Sequence, residues 1–392
     1  VTVYFDPPKA THDFIIVGAG IAGVSTAYEL SQSARVCVVE GEERPGMHAT
    51  SRSAALFAPS YGGREIRALT RASRAFFNRP PAGFSEPPLL RDRGCLYIAR
   101  PDQRERLDEM ASEIRSSGGQ VAFLSVPQAL LRVPLLRRDY LAAAALDADA
   151  MDIEVNALHQ GFLRGARAAG ATLITGSWVR QLSREHGLWS IECAGVTVSA
   201  PVLINAAGAW ADELAHACGA RPLGLQPLRR TALLVEPPPG IDVSTWPAVI
   251  DTDEEFYLKP DAGKLLLSPA DETPAPPGDA HPDEMDVAIG VDRVEAALDI
   301  KVQRVTHSWA GLRTFSPDRA PVLGFDADIS GFFWCAGQGG YGIQTSPAMA
   351  RAAAALARNE PLPADISAEG LTTVDLSPER FAGSNIRRQR NG

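Results

Sequence analysis

The chain of 392 residues is 45% hydrophobic and 22% charged, a composition that fits a globular protein with a full core and room for two domains. Its net charge of −9 argues against a nucleic-acid partner, which would want a basic face, and no run reaches the roughly 18–20 apolar residues of an integral membrane segment. Five scattered cysteines (Cys37, Cys95, Cys193, Cys218, Cys335) show no CxxC or metal spacing, so they predict reduced core thiols, no metal, and a cytoplasmic location that is at most peripheral to a membrane.

In chain order, "DFIIVGAGIAGVSTAYEL" reads as a buried strand, a GxGxxG turn and an amphipathic helix, and "ARVCVVE" as a second strand ending in an acid. The glycine-rich Phe14–Gly23 run lacks a basic flank and does not read as a signal peptide. Residues 64–78 look helical, "PPAGFSEPPLL" is a proline-rich excursion, "GCLYIA" a strand, and 102–117 a charged helix. "NALHQGFLRGARAAGATLIT" gives a helix stopped at Gly170 and then a strand, and "HGLWSIECAGVTVSAPVLINAAGAW" a hairpin followed by a buried strand ending at Gly208. From 220 to 317 alternating strand-like runs predict a largely antiparallel sheet, with "TPAPPGDAHPDE" as a surface loop. "FFWCAGQGGYGIQTSP" then repeats the opening construction of strand, glycine turn and helix. The last dozen residues, with the arginine cluster "NIRRQRNG", read as a loose tail.

Gly18, Gly20 and Gly23 fill the dinucleotide fingerprint: a tight turn, close approach of backbone to a pyrophosphate, and packing of helix on strand. Glu40 follows about 20 residues on, where a carboxylate holds ribose hydroxyls. That motif alone leaves NAD and FAD open. "RPGMHATSRSAALFAPSYGG" directly after Glu40, rich in small and hydroxyl residues, suits a segment laid along a longer dinucleotide, and favours FAD.

With "TSRSAA", "VLINAAGAW", "WAGLRTFSPDRAPVLG" and "GQGGYGIQTSP", the chain resembles the FAD-dependent D-amino-acid oxidase superfamily over almost its whole length. "ALHQGFLRG", "RPLGLQPLRR" and "FYLKPDAG" are most similar to the bacterial D-arginine dehydrogenase group within it. The resemblance implies an α/β fold in which a Rossmann-like FAD-binding domain of the glutathione-reductase type (1–90, 151–219, 318–375) joins a substrate domain (91–150, 220–317) built on a mixed, largely antiparallel sheet. Residues 376–392 form the tail. It also implies a non-covalent FAD running from the first glycine turn to the second, and so explains why there are two.

Cofactor contacts implied in this way are Gly18, Gly20, Ala22, Gly23, Glu40, Ala49, Thr50, Ser51, Arg52, Ser53, Ala54, Ala55, Leu56, Val179, Gly337, Gly339, Gly340, Tyr341, Gly342, Ile343 and Gln344. Arg313 resembles the arginine that grips a substrate carboxylate, and Tyr257 adds a hydroxyl to the same group. Tyr61 closes the pocket mouth near Arg230, and Gly340 offers its carbonyl to the substrate amine. Asp318 is expected to order the loop after Arg313, His48 to stand behind the flavin segment, and no histidine to act in catalysis.

The implied activity is oxidative deamination of a D-amino acid. Hydride passes from the α-carbon to flavin N5, the imino acid is hydrolysed to a 2-oxo acid and ammonia, and O₂ or a quinone takes the electrons. A pocket for D-arginine should hold a carboxylate where "RDRGCLYIAR" places Cys95. With Leu56, Ala58, Ala248 and Ile250 the wall reads as apolar, which predicts neutral side chains. Oxidation of glycine, N-methylglycine or proline is the nearest alternative, and a flavin-binding protein without turnover is an alternative of another class.

Overall fold

The computed structural model describes residues 10–116, 119–179 and 181–382; the arginine cluster of the tail lies outside them. A six-stranded sheet takes its strands in the order Val322–Phe325, Phe332–Ala336, Val202–Asn205, Phe14–Val17, Val36–Val39 and Thr172–Ile174. All neighbours are parallel except the first pair. The central strand, FIIV, is buried on both faces, as parallel strands covered on two sides must be. Phe14 and Ile16 pack under the helices Ile21–Leu30, Arg64–Asn78, Val155–Ala168 and Gly342–Ala357. Ile15 and Val17 pack instead against the three-stranded sheet Gln181–Glu185, Leu188–Cys193 and Val196–Ala200. The mixed α/β class expected from the sequence is the class observed.

The carboxyl ends of four strands come together at Gly18, Glu40, Ala206 and Gly337, the place where open α/β sheets bind ligands. Both glycine turns therefore lie on one edge of one sheet, although they stand at opposite ends of the sequence.

A nine-stranded sheet carries the rest: Thr273–Pro274, Gln226–Val235, Lys264–Ser268, Tyr257–Asp261, Ala248–Asp251, Cys95–Ala99, Ala143–Asp147 and Val121–Leu124, with Val305–Phe315 paired to Gln226–Val235. It is antiparallel apart from the pairing of Ala248–Asp251 with Cys95–Ala99. In the long pair, Arg230 faces Gly311 and Leu228 faces Arg313, so the two arginines are diagonal neighbours on one face of the sheet.

Two expectations are corrected. Within the stretch read as strands, Glu284–Ala297 is a helix; Asp283 caps the N–H of Met285 at 2.9 Å and Val294 and Ala297 are buried. Its valines and glycine are poor helix formers and its apolar periodicity is weak, so the sequence under-reports it. Residues 376–382, expected to be loose, form the turn Pro378–Phe381, and Arg380 donates to Asp318 at 2.7 Å. Asp318 also accepts from the Ser316 hydroxyl at 2.9 Å and so orders the loop as anticipated. All five cysteines are free and buried, and among the described residues no helix is long and apolar enough to cross a membrane and no cluster has the makings of a metal site.

Candidate active site

One cavity runs along the shared sheet edge from Glu40 and Val179 to Arg313 and Gly340. At its first turn the glycines are steric requirements. Gly18 has φ +104°, and a side chain there would meet the Ala206 carbonyl at 2.4 Å. A side chain at Gly23 would lie 1.8 Å from the Gly18 carbonyl. The loop between them is held from several sides. Ala19 N–H donates to Glu40 at 2.6 Å, His159 Nε2 donates to the Ala19 carbonyl at 3.0 Å, and Ile21 N–H donates to the Thr50 hydroxyl at 3.0 Å. Burial lowers the pKa of His159 and favours the neutral ring, against the bond to the Ala19 carbonyl and the charge of Glu40, which pull the other way.

The segment after Glu40 lines the cavity with Met47, His48, Ala49, Thr50, Arg52, Ser53 and Ala54. His48 Nε2 donates to Glu42 at 3.0 Å and its ring lies 4.8 Å from Trp210, which in turn meets Trp178 at 5.3 Å. Arg52 reaches across to the second sheet: it donates to the Ala310 carbonyl at 2.8 Å and the Ala280 carbonyl at 3.0 Å and pairs with Asp279. The cofactor segment is thereby tied to the strand that carries Arg313.

At the far end, Gly339 N–H donates to the Thr314 carbonyl at 2.8 Å with φ +55°, and the Phe315 ring sits where its side chain would be. A side chain on Gly340 would touch the Arg313 guanidinium at 3.0 Å. Arg230, Tyr257, Arg313 and Gly340 all line this end. Burial opposes the charge on Arg313, but Tyr257, Tyr61, Tyr341 and Glu272 together outweigh it and hold its pKa above the ordinary value. Tyr61 stands against Tyr341 with ring centres 5.4 Å apart, and its hydroxyl donates to Glu254 at 3.0 Å.

Leu56, Ala58, Cys95, Ala248 and Ile250 do come together, in one apolar cluster with Tyr97 and Tyr61. The cluster is itself packed, and none of the five enters the cavity wall. Nor does Tyr61, expected to close the pocket mouth, which packs on this cluster and on Tyr341 within electrostatic reach of Arg313 and Arg230. Burial drives the Cys95 thiol far above its usual range, so it stays neutral. Opposite it on the neighbouring strand lies Asp147, a buried acid the sequence did not single out. Its carboxylate accepts from the Ser60 hydroxyl and from Asp149 N–H at 2.9 Å, and burial raises its pKa.

Of the residues expected at the cofactor, Gly18, Gly20, Ala22, Glu40, Ala49, Thr50, Arg52, Ser53, Ala54, Val179, Gly339, Gly340, Gly342 and Ile343 line the cavity. Gly23, Ser51, Ala55, Leu56, Gly337, Tyr341 and Gln344 stand behind it. Ser51 is exposed and bonded back to the Met47 carbonyl at 3.0 Å, Leu56 faces the apolar cluster, and Gln344 accepts from Ala58 N–H at 3.0 Å. Trp178, Trp210 and Thr314 were not anticipated, because only the fold brings them to the cavity. Among the described residues the Thr314 hydroxyl and His48 Nδ1 are buried without a hydrogen-bond partner, and both residues line the cavity. Backbone cradles at both ends, the Glu40 carboxylate in the wall and these unsatisfied polar atoms fit a long dinucleotide.

Residues 13–356 match the family described as FAD dependent oxidoreductase (DAO). Hydrogen cyanide synthase subunit HcnC of Pseudomonas aeruginosa is 26% identical over 407 residues, covering 91% of this chain and 95% of that protein. Glycine oxidase of Geobacillus kaustophilus is 24% identical over 358 residues (86% of this chain, 90% of that protein). Its crystal structure superposes with a TM-score of 0.79, covering 89% of this chain and 95% of that one. The structure of L-proline dehydrogenase from P. horikoshii gives a TM-score of 0.80 at 20% identity, covering 96% and 99%. What these proteins share with the chain is the superfamily and its fold; none of them is the D-arginine dehydrogenase that the motifs resemble.

Proposed function

The chain belongs to the DAO family of FAD-dependent oxidoreductases, and from that premise we propose that it oxidises the carbon–nitrogen bond of a D-amino acid with a neutral, apolar side chain, releasing a 2-oxo acid and ammonia after hydrolysis. The observation that carries this reading is Arg313, lodged against Gly340 of the second glycine turn with Tyr257 and Arg230 in the same wall. Bound FAD supplies the acceptor for the α-hydrogen and its electron pair.

Everything else falls to the chain's own groups. The Arg313 fork takes the substrate carboxylate, the Tyr257 hydroxyl adds a third contact, and together they fix the direction of the α-C–H bond. The Gly340 carbonyl accepts a hydrogen bond from the amine, which must be neutral before the α-hydrogen leaves. Tyr61 and Tyr341 shield this end from water. The D configuration rests on the motif resemblance. Preference for neutral side chains rests on the acids around this end being already engaged: Glu254 accepts from Tyr61, Glu272 from Arg319 and Arg230, and Asp147 from Ser60 and Asp149 N–H. A guanidinium buried without a free carboxylate costs several kcal/mol, on the order of 3–5.

A second reading, oxidation of glycine, N-methylglycine or proline, draws on the fact that the apolar cluster does not open into the cavity, so the wall asks for little side chain. A panel of D- and L-amino acids with glycine, N-methylglycine and proline separates the two, followed by ammonia release with oxygen or a quinone dye as acceptor. D-Methionine and D-leucine should lead. Glycine or proline ahead of them would establish the second reading, and faster turnover of the L-enantiomers would remove the assigned configuration.

A further inference from the structure

The loop after Ser268 holds one of the two arginines of the substrate wall. Arg230 donates from Nε to the Asp271 carbonyl at 2.8 Å and from a terminal nitrogen to Glu272 at 3.2 Å. The side chain of Asp271 is not available to it, being taken by Thr231 N–H at 2.7 Å and the Thr231 hydroxyl at 3.0 Å. Glu272 is itself gripped on both oxygens by Arg319, at 2.8 and 3.1 Å. The Arg319 guanidinium lies 3.8 Å over the Phe315 ring, and Phe315 follows Arg313 by two residues in the same strand. A chain of charge thus runs Arg230, Glu272, Arg319 beside the carboxylate anchor.

Without Glu272 the wall would present two guanidiniums, diagonal neighbours on one sheet face, and would suit a dicarboxylate. With it, one fixed negative charge offsets Arg230. Burial works against ionisation of Glu272, but Arg319, Arg230 and Arg313 hold its carboxyl below the ordinary range. Arg319 is half exposed and outside the cavity wall, whereas Arg230 is buried and lies in it.

Resting on the amino-acid reading above, we propose that Glu272 is a specificity-determining residue: by occupying Arg230 it leaves Arg313 as the one free carboxylate receptor and turns away amino acids whose side chain carries a second carboxylate. The role is electrostatic, so it should appear in selectivity before it appears in rate.

The test uses the flavin-loaded protein and two inert ligands, acetate and succinate, titrated against the flavin absorption band in wild type, Glu272→Gln and Arg319→Gln. Removing the charge of Glu272 should tighten succinate relative to acetate by about tenfold or more, tenfold being the effect of one charge about 12 Å away at an effective dielectric of about 20. Arg319→Gln should leave that ratio unchanged or move it the other way, since it frees Glu272 to bind Arg230 more fully. In turnover, Glu272→Gln should raise kcat/KM for D-glutamate over D-methionine by a similar factor. A ratio within twofold of wild type in Glu272→Gln, or a shift of the same sign in both variants, would overturn the proposal, because loss of loop order moves both alike. If no amino acid is oxidised yet the succinate ratio shifts, the role of Glu272 stands and the assigned activity fails. Turnover with no shift in the ratio leaves the activity standing and removes the role of Glu272.

Discussion

At the first glycine turn Ala19 is held from both sides, its N–H by Glu40 and its carbonyl by His159, while Gly18 and Gly23 are pressed against backbone. At the second, Gly339 hangs from the Thr314 carbonyl and Gly340 abuts the Arg313 guanidinium. The first turn takes its glycines and Glu40 from its own βαβ unit, and His159, Thr50 and the Ala206 carbonyl close on it from outside. The second is completed by side chains delivered from the long strands of the other sheet. One is a cradle whose shape is the function; the other is a meeting point whose partners are the function.

The sharpest way to break this comparison is to change shape at the first turn and chemistry at the second. Gly23→Ala places a methyl group in the Gly18 carbonyl and should abolish flavin retention, with a loss of stability at or above the roughly 1–3 kcal/mol of an overpacked core. The flavin-to-protein ratio after gel filtration checks it; a fully loaded variant would mean the turn is more plastic than its packing. Arg313→Lys should do the opposite. Flavin stays bound and non-covalent, while kcat/KM falls on the order of a hundredfold because the planar fork is lost and the α-carbon is misplaced.

A smaller effect tests the preference for neutral side chains. D-Methionine or D-leucine should exceed D-arginine in kcat/KM by about tenfold or more, given the cost of an unpaired buried guanidinium. Should D-arginine win, Asp147 becomes the group that reads it, and Asp147→Asn should then cancel the preference. Cys95→Glu would set a second acid against Asp147, so its gain for D-arginine should come with a lowered Tm.

The smallest expected effect returns to the first turn. Burial lowers the folded-state pKa of His159 below 6.5, so the unfolded chain binds the extra proton between that folded value and 6.5. Stability therefore rises with pH across that window and is lost on acidification. His159→Gln should flatten that part of the Tm–pH curve, and an unchanged slope would assign it to other groups.

Much of the first turn was legible because its determinants are local: three glycines, a helix and Glu40 lie within one short stretch, and steric need fixes their spacing. Arg313, Tyr257 and Arg230 could be named only through the resemblance, since their convergence depends on strand register across the second sheet. The pairing of Glu272 with Arg319 was invisible for the same reason, since the two stand in separate loops 47 residues apart. Asp147 was missed because an acid at a strand end looks solvated until the strand opposite it is known. The helix Glu284–Ala297 escaped because its stabilising features, a capping aspartate and burial of one stripe, are weak in composition.

In the proposed reaction a single flavin spans both turns and Arg313 presents an amino acid to it. Anaerobic mixing of the flavin-loaded protein with D-methionine tests this directly, with the flavin absorption band followed in wild type and in Arg313→Lys. The wild-type band should bleach fully within one turnover, and in the variant bleaching should be slowed by about a hundredfold at the same flavin content. A band that no D-amino acid, L-amino acid, glycine or proline bleaches would contradict the proposed reaction and leave a flavin-binding protein without this turnover.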